Sequence, residues 1–166
     1  MLTQLIALGL LAAPSGGTAE KGAVIATPDR TASMTVVQPS ASRGSALPLG
    51  AAAWAQQFDP GDHAPYAIDF TELLDEDEGI AKIEAIKVSS TAALLGIGVD
   101  AASGYRPIID AAGKKIQLWF LVDQAFWEAS SFAADGVLLP VSVRIVTDAA
   151  SPKRYERTAI LTVRQL

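Results

Sequence analysis

Few residues in this chain could do chemistry. His63 is its single histidine and it has no cysteine. A Ser-His-Asp triad would have to be built around His63, while a two-histidine metal site, thiol catalysis, a cysteine-based zinc site and disulfide bonds are excluded. Asp62 is the suggestive partner beside His63, although neighbours in a loop usually point apart. The densest charge lies at Asp75-Glu76-Asp77-Glu78-Gly79. Four carboxylates in a turn could draw a hard cation such as calcium, but the stretch lacks the spaced acidic positions and distal glutamate of an EF-hand loop, so a solvated acidic turn is expected. No paired acid and base, no nucleophile beside a base and no metal cluster can be assembled, so the chain reads as a non-enzyme without cofactor or metal.

Aromatic side chains remain, and their chemistry is binding. Trp54 and Phe58 stand four apart in Ala51–Phe58, a stretch expected to form a helical turn or two before Asp59-Pro60-Gly61-Asp62 stops it. Phe126, Trp127 and Phe132 fall in the connection Asp123–Asp135, more aromatic surface than a solvated turn needs. Trp54, Phe126, Trp127 and Phe132 are therefore the candidate partner-binding residues, because aromatics are enriched at interface hot spots. The alternative for the three in the connection is that they cap the end of the domain; the two readings differ in burial.

The elements that would position these residues read as strands. Val137, Leu139, Val141, Val143 and Ile145 share one parity, and so do Tyr155, Arg157, Ala159, Leu161 and Val163. Each run can lay one face on a core, and together they predict a hairpin. Tyr66, Ile68 and Phe70 alternate with polar or small residues, and Ile116, Leu118, Phe120 and Val122 make a second inward face from which Trp119 points away. Ala111-Ala112-Gly113 reads as the turn of a hairpin leading into that strand. Ile80, Ile83, Ile86 and Val88 are spaced first like a helix and then like a strand; their β-branching favours a strand with a bulge at its end.

Upstream, residues 14–50 are punctuated by proline, glycine and serine, with only Ala23–Ala26 and Met34–Val37 long enough for short strands. This reads as an extended arm. Leu2–Ala13 is the most apolar run, too short to span a bilayer as a helix. It could be the apolar stretch of a secretory signal with Gly17-Thr18-Ala19 for cleavage, although no Lys or Arg precedes it. The expectation adopted is a segment that packs on this protein's body or on a neighbouring subunit. The chain of 166 residues thus divides into an arm, 1–57, and a β domain, 58–166. Its net charge of −5 is uneven: Lys21, Arg30 and Arg43 against Glu20 and Asp29 leave the arm at +1 and the domain at −6. An acidic body offers no footprint for nucleic acid, and no membrane partner is expected.

Phe58-Asp59-Pro60 leads into Tyr66-Ala67-Ile68-Asp69-Phe70, followed by Leu74, Asp77 and Ile80. At the far end stand Gly136, Arg144-Ile145-Val146-Thr147 and Arg154–Val163. This pattern resembles a group of small phage virion proteins, the fiber-like or Ig-like head proteins, over residues 58–166. Phe70 stands where that group usually has Trp and Leu139 where it usually has Tyr. Gln124–Ala134 does not match the group's short Gly-rich turn, and residues 1–57 lie outside the resemblance. The resemblance implies an all-β, Ig-like antiparallel β-sandwich with an extended N-terminal arm, acting as a structural virion protein on the phage head surface. It would decorate or reinforce the capsid or form the base of a head fiber. Its partners would be the major capsid protein and copies of itself, a trimer among the possible homo-oligomers. The competing reading is a secreted or periplasmic β-sandwich that binds carbohydrate or protein after its signal is cleaved.

Overall fold

Residues 19–36 and 51–166 are described by the structure, a computed structural model. The apolar run Leu2–Ala13, the signal-or-packing question attached to it and residues 37–50 lie outside them. In chain order the elements are β1 (Glu20–Gly22), β2 (Thr31–Ser33), β3 (Ala52–Ala53), β4 (Pro65–Asp69), β5 (Ile80–Val88), helix α1 (Ser90–Leu94), β6 (Ile97–Val99), β7 (Ile108–Asp110), β8 (Lys115–Val122), β9 (Val137–Thr147) and β10 (Arg154–Val163). They form an all-β fold of two sheets. One runs β1-β7-β8-β4-β2, with β6 also pairing β8; the other runs β3-β10-β9-β5.

The hairpin expected at the C-terminal end is β9 and β10, paired antiparallel from Val137↔Val163 to Val146↔Arg154. Leu139, Val141, Val143 and Ile145 face inward with Ala159, Leu161 and Val163, and all seven are buried. Tyr66, Ile68, Ile116, Leu118 and Phe120 of the other sheet join the same hydrophobic cluster. The odd spacing along β5 has a geometric cause. Its register against β9 slips between Ile80 and Lys82 and again between Ile83 and Ala85, so each bulge absorbs one residue. Ile80, Ile83, Ile86 and Val88 thereby meet Thr147, Ile145, Val143 and Val141 on one face. The irregularity lies early in the strand, not at its end.

The sheets are mixed, where a purely antiparallel arrangement was expected. β1 adds parallel to β7, β2 parallel to β4, and β3 parallel to β10. All three additions come from residues before Phe58, which reach sheet edges by long crossings that leave the strand direction free, unlike a hairpin turn. The helical turn expected over Ala51–Phe58 is also replaced. Ala52 and Ala53 pair with Ala159 and Ile160, and Phe58 bridges Val163. Pairing with β10 overrides the helix propensity of an Ala-rich stretch.

The expected strand Ala23–Ala26 is displaced to β1, and the segment behind it does something else. β1 and β2 sit at opposite edges of one sheet, so the intervening residues cross its outer face as a strap. Gln117, pointing outward from the middle of β8, accepts the backbone N–H groups of Ile25 (2.7 Å) and Ala26 (3.1 Å) on Oε1. The strap explains why outward-facing Ala67 and Gln117, a cross-strand pair, are both buried. Gln117→Leu would keep the volume and orphan both amides, a loss of about 1–3 kcal/mol. Urea denaturation should show that loss, and hydrogen exchange at Ile25 and Ala26 should accelerate; unchanged exchange would refute the pinning role.

Candidate functional site

Three of the four candidate anchors are not presented to a partner. Trp54 is 3% exposed and Phe132 is 0% exposed. Trp54 follows β3, donates its indole Nε1–H to the Ala67 carbonyl (2.6 Å), and packs edge-on against Tyr66 and Phe120 at centroid distances of 5.7 and 5.6 Å. Phe58 packs on the same two rings. Trp54 and Phe58 thus share a location, as expected, without a helix. Burial in this aromatic group pushes the Tyr66 phenol up to about 12, and its hydroxyl donates to the Gln57 carbonyl (3.0 Å).

The connection carrying the other aromatics folds into two short 3-10 turns, Gln124–Phe126 and Ser130–Phe132. Asp123 caps the first by accepting the Ala125 N–H (3.0 Å). Phe126 is half-buried against Gly96, whose φ of +71° and lack of a side chain let the ring approach; a Cβ there would stand 2.5 Å from Phe126 Cδ2. The carbonyl of Phe132 accepts the Gln165 N–H (2.9 Å), closing the C-terminal chain over the loop. Phe126 and Phe132 therefore cap the end of the fold. Trp127 alone is presented, at 38% exposure, with Nε1–H donating to the Val122 carbonyl (2.9 Å). It rims a shallow hollow of about 280 Å³ with Asp59, Glu128, Gln165 and Leu166.

The acidic turn is not merely solvated. Lys114 Nζ donates to the carbonyls of Asp75 (2.7 Å), Glu76 (3.1 Å) and Glu78 (2.6 Å), an ammonium seated where oxygens converge. Lys153 Nζ reaches Asp75 Oδ2 (2.5 Å) and Glu78 Oε2 (3.2 Å). Among the described residues no group of three acidic or histidine side chains is placed to hold a metal ion. Lys153 lowers the Asp75 carboxyl below its ordinary range. Burial pushes Glu78 up, but the neighbouring Thr147 hydroxyl, the Asp75 amide and Lys153 outweigh it and hold it low as well. Lys153 is in turn held above its usual range by Asp75 and then Glu78.

These shifts stabilise the fold where the carboxylates are ionised and the lysine protonated. The contribution is lost as pH falls through the lowered carboxylate values or rises through the raised lysine value. Lys153→Met should therefore melt below the wild type between about pH 4 and pH 10, the ordinary ranges of these groups, and match it under strongly acidic conditions. A constant difference in melting temperature across the acid limb would contradict this account.

His63 does have an acidic partner, and it is not Asp62. His63 Nε2 lies 3.0 Å from Oδ2 of Asp100, which follows β6. Asp100 is itself 9% exposed; its Oδ1 accepts the Ala102 N–H (2.8 Å) and its own N–H donates to the Trp119 carbonyl (2.8 Å). The imidazole packs against both Tyr105 and Trp119 at centroid distances of 4.5 and 5.1 Å, and those two rings touch each other at 5.0 Å. Pairing with β4 sets Trp119 opposite Pro65, which puts the cluster on the outer face of the first sheet. Among the described residues no hydroxyl side chain hydrogen-bonds His63. The pair fastens the loop Asp100–Pro107 onto the sheet and holds three rings at the surface. In sequence, the only sign of this cluster is Trp119, the residue of β8 that points away from the core.

Among the described residues no helix is long and apolar enough to cross a membrane. No protein-family model, curated protein or solved structure matches the chain.

Proposed function

We propose that this protein is a non-enzymatic structural component of a tailed-phage virion. In this reading it is an Ig-like β-sandwich on the head surface, decorating or reinforcing the capsid or forming the base of a head fiber, and its N-terminal arm is the attachment device. The observation that carries the proposal is the behaviour of the residues before Phe58. Wherever they are described as strand, they add their backbone to the edge of a sheet, at β1, β2 and β3. Those pairings are made within this chain's own sheets; in this reading residues 1–18, ahead of β1, are left to grip a neighbouring subunit, where strand addition would draw affinity from main-chain hydrogen bonds. Many copies around a symmetric particle turn weak contacts into avidity.

Two further features support an adhesive role over a catalytic one. The connection Gln124–Ala134, where the sequence departs from the virion group it resembles, presents Trp127 at a shallow hollow. The one His–Asp pair supports a loop. The partners in this reading are capsid subunits and other copies of the chain.

Intact mass and sedimentation of the protein from its native source test the proposal. The expected result is a chain that retains residues 1–18 and co-sediments with megadalton particles. Recombinant protein lacking residues 1–18, with β1 and β2 intact, should stay folded and bind particles more weakly. A chain that begins near Glu20 and sediments alone would overturn the proposal in favour of an exported binding module.

A further inference from the structure

The strap covers only part of the outer face of the first sheet. It lies over Gln117, and beyond it along β8 the same face carries Trp119 and then Leu121, which is 36% exposed. Leu121 pairs with Gly98 across β6 and β8, and nothing stands within 4 Å of where a side chain at Gly98 would project, so this ledge is open. His63 and Tyr105 stand against Trp119, and Tyr105 is 39% exposed. The three rings are inclined to one another by 47° to 69° and form a stepped apolar surface. The chain neighbours of Tyr105 then open into a shallow hollow of about 180 Å³ lined by Glu20, Ser103, Gly104, Arg106 and Ile108.

We propose that this ledge and hollow bind a neutral oligosaccharide. A sugar ring is apolar on its C–H faces and ringed by hydroxyl groups that both donate and accept. The face of an aromatic ring carries partial negative charge and complements such C–H groups, and the step between inclined rings fits a chain whose units turn relative to one another. The hollow supplies a matching mixture of polar groups: the Glu20 carboxylate accepts, the Arg106 guanidinium donates, and the Ser103 hydroxyl does both. Glu20 and Arg106 offset each other in charge, which favours a neutral ligand over an ion.

His63 adds a further polar group. Its Nε2 faces the nearly buried Asp100 carboxylate, and among the described residues no group hydrogen-bonds Nδ1, which leaves that nitrogen for a sugar hydroxyl. Asp100 is held by Ala102 and Trp119 main-chain groups, and Arg106 Nε is held by the Ala101 carbonyl (3.3 Å). The site is therefore set before a ligand arrives, which limits the entropy lost on binding. The inference is independent of the virion proposal, since a saccharide could be met from a particle surface or by an exported module.

The test is calorimetry and amide-resonance mapping of the full chain with four neutral tetrasaccharides: cellotetraose, laminaritetraose, chitotetraose and maltotetraose. At least one should bind and shift resonances of residues 98–106 and 119–121. Tyr105→Ala, in an exposed loop, should weaken that binding about tenfold, the loss of one aromatic contact, and His63→Ala should weaken it as well. Trp127→Ala, at the other hollow, should bind like the wild type; thermal melts identify any variant that fails to fold. If none of the four shifts these resonances at millimolar concentration, or if folded Tyr105→Ala binds as tightly as the wild type, the proposal is wrong.

Discussion

Trp54 is bound to both sheets at once, and the rest of the fold depends on that double attachment. Its main-chain N–H donates to the Ile160 carbonyl of one sheet (3.2 Å), while its indole N–H donates to the Ala67 carbonyl of the other (2.6 Å). An indole is a rigid spacer, so the two bonds set how far apart the sheets stand at this end. Tyr66, Phe58 and Phe120 fill the space around it edge to face, a geometry favoured by the ring quadrupoles. The raised Tyr66 phenol is a consequence of how little water reaches this group. A residue that spacing alone marks as a possible anchor for another protein is the anchor of this protein to itself.

The two sheets are finished differently on their outer faces. On the sheet built from β9 and β10, Arg144 bonds Glu156 and lies near Glu84, Arg154 bonds Glu84, and Lys87 reaches Glu156. Exposed pairs of this kind contribute little to stability; their larger effect is to keep the part of that face around Arg144 and Arg154 wet. The other sheet is finished by the chain's own strap, which stops short of Trp119 and Leu121. The rings of His63, Tyr105 and Trp119 therefore stand open on the first sheet's outer face, and the half-exposed Trp127 at the capped end is a separate, smaller feature.

How far the sequence was legible follows the range of each interaction. The parity of Leu139–Ile145 and of Ile116–Val122 is a local pattern with a single geometric meaning, and it places the core strands correctly. The spacing of Ile80, Ile83, Ile86 and Val88 is ambiguous until the bulges against β9 are seen, because a bulge is a property of a pair of strands. Ala51–Phe58 carries helix-forming residues, yet its partner β10 lies far along the chain and decides its conformation. The same distance hides the strap, whose pin is one glutamine within β8, and the pairing of His63 with Asp100. The surroundings of the acidic turn Asp75–Glu78 are not legible locally either, since the cations that reach it come from Lys114 and Lys153.

The parallel pairing of β3 with β10 sets an order of events during biosynthesis. Ala52 and Ala53 leave the ribosome early, but Ala159 and Ile160 follow about a hundred residues later, on the order of ten seconds at typical elongation rates. Throughout that interval Trp54 has a carbonyl waiting on β4 but no strand beneath its backbone. The sheets can close only when β10 has emerged, and contacts this distant in sequence make for slow closure. A nascent chain of this protein must therefore carry an exposed tryptophan and an unpaired β3 until β10 follows, long after β2 can pair with β4 and β1 with β7.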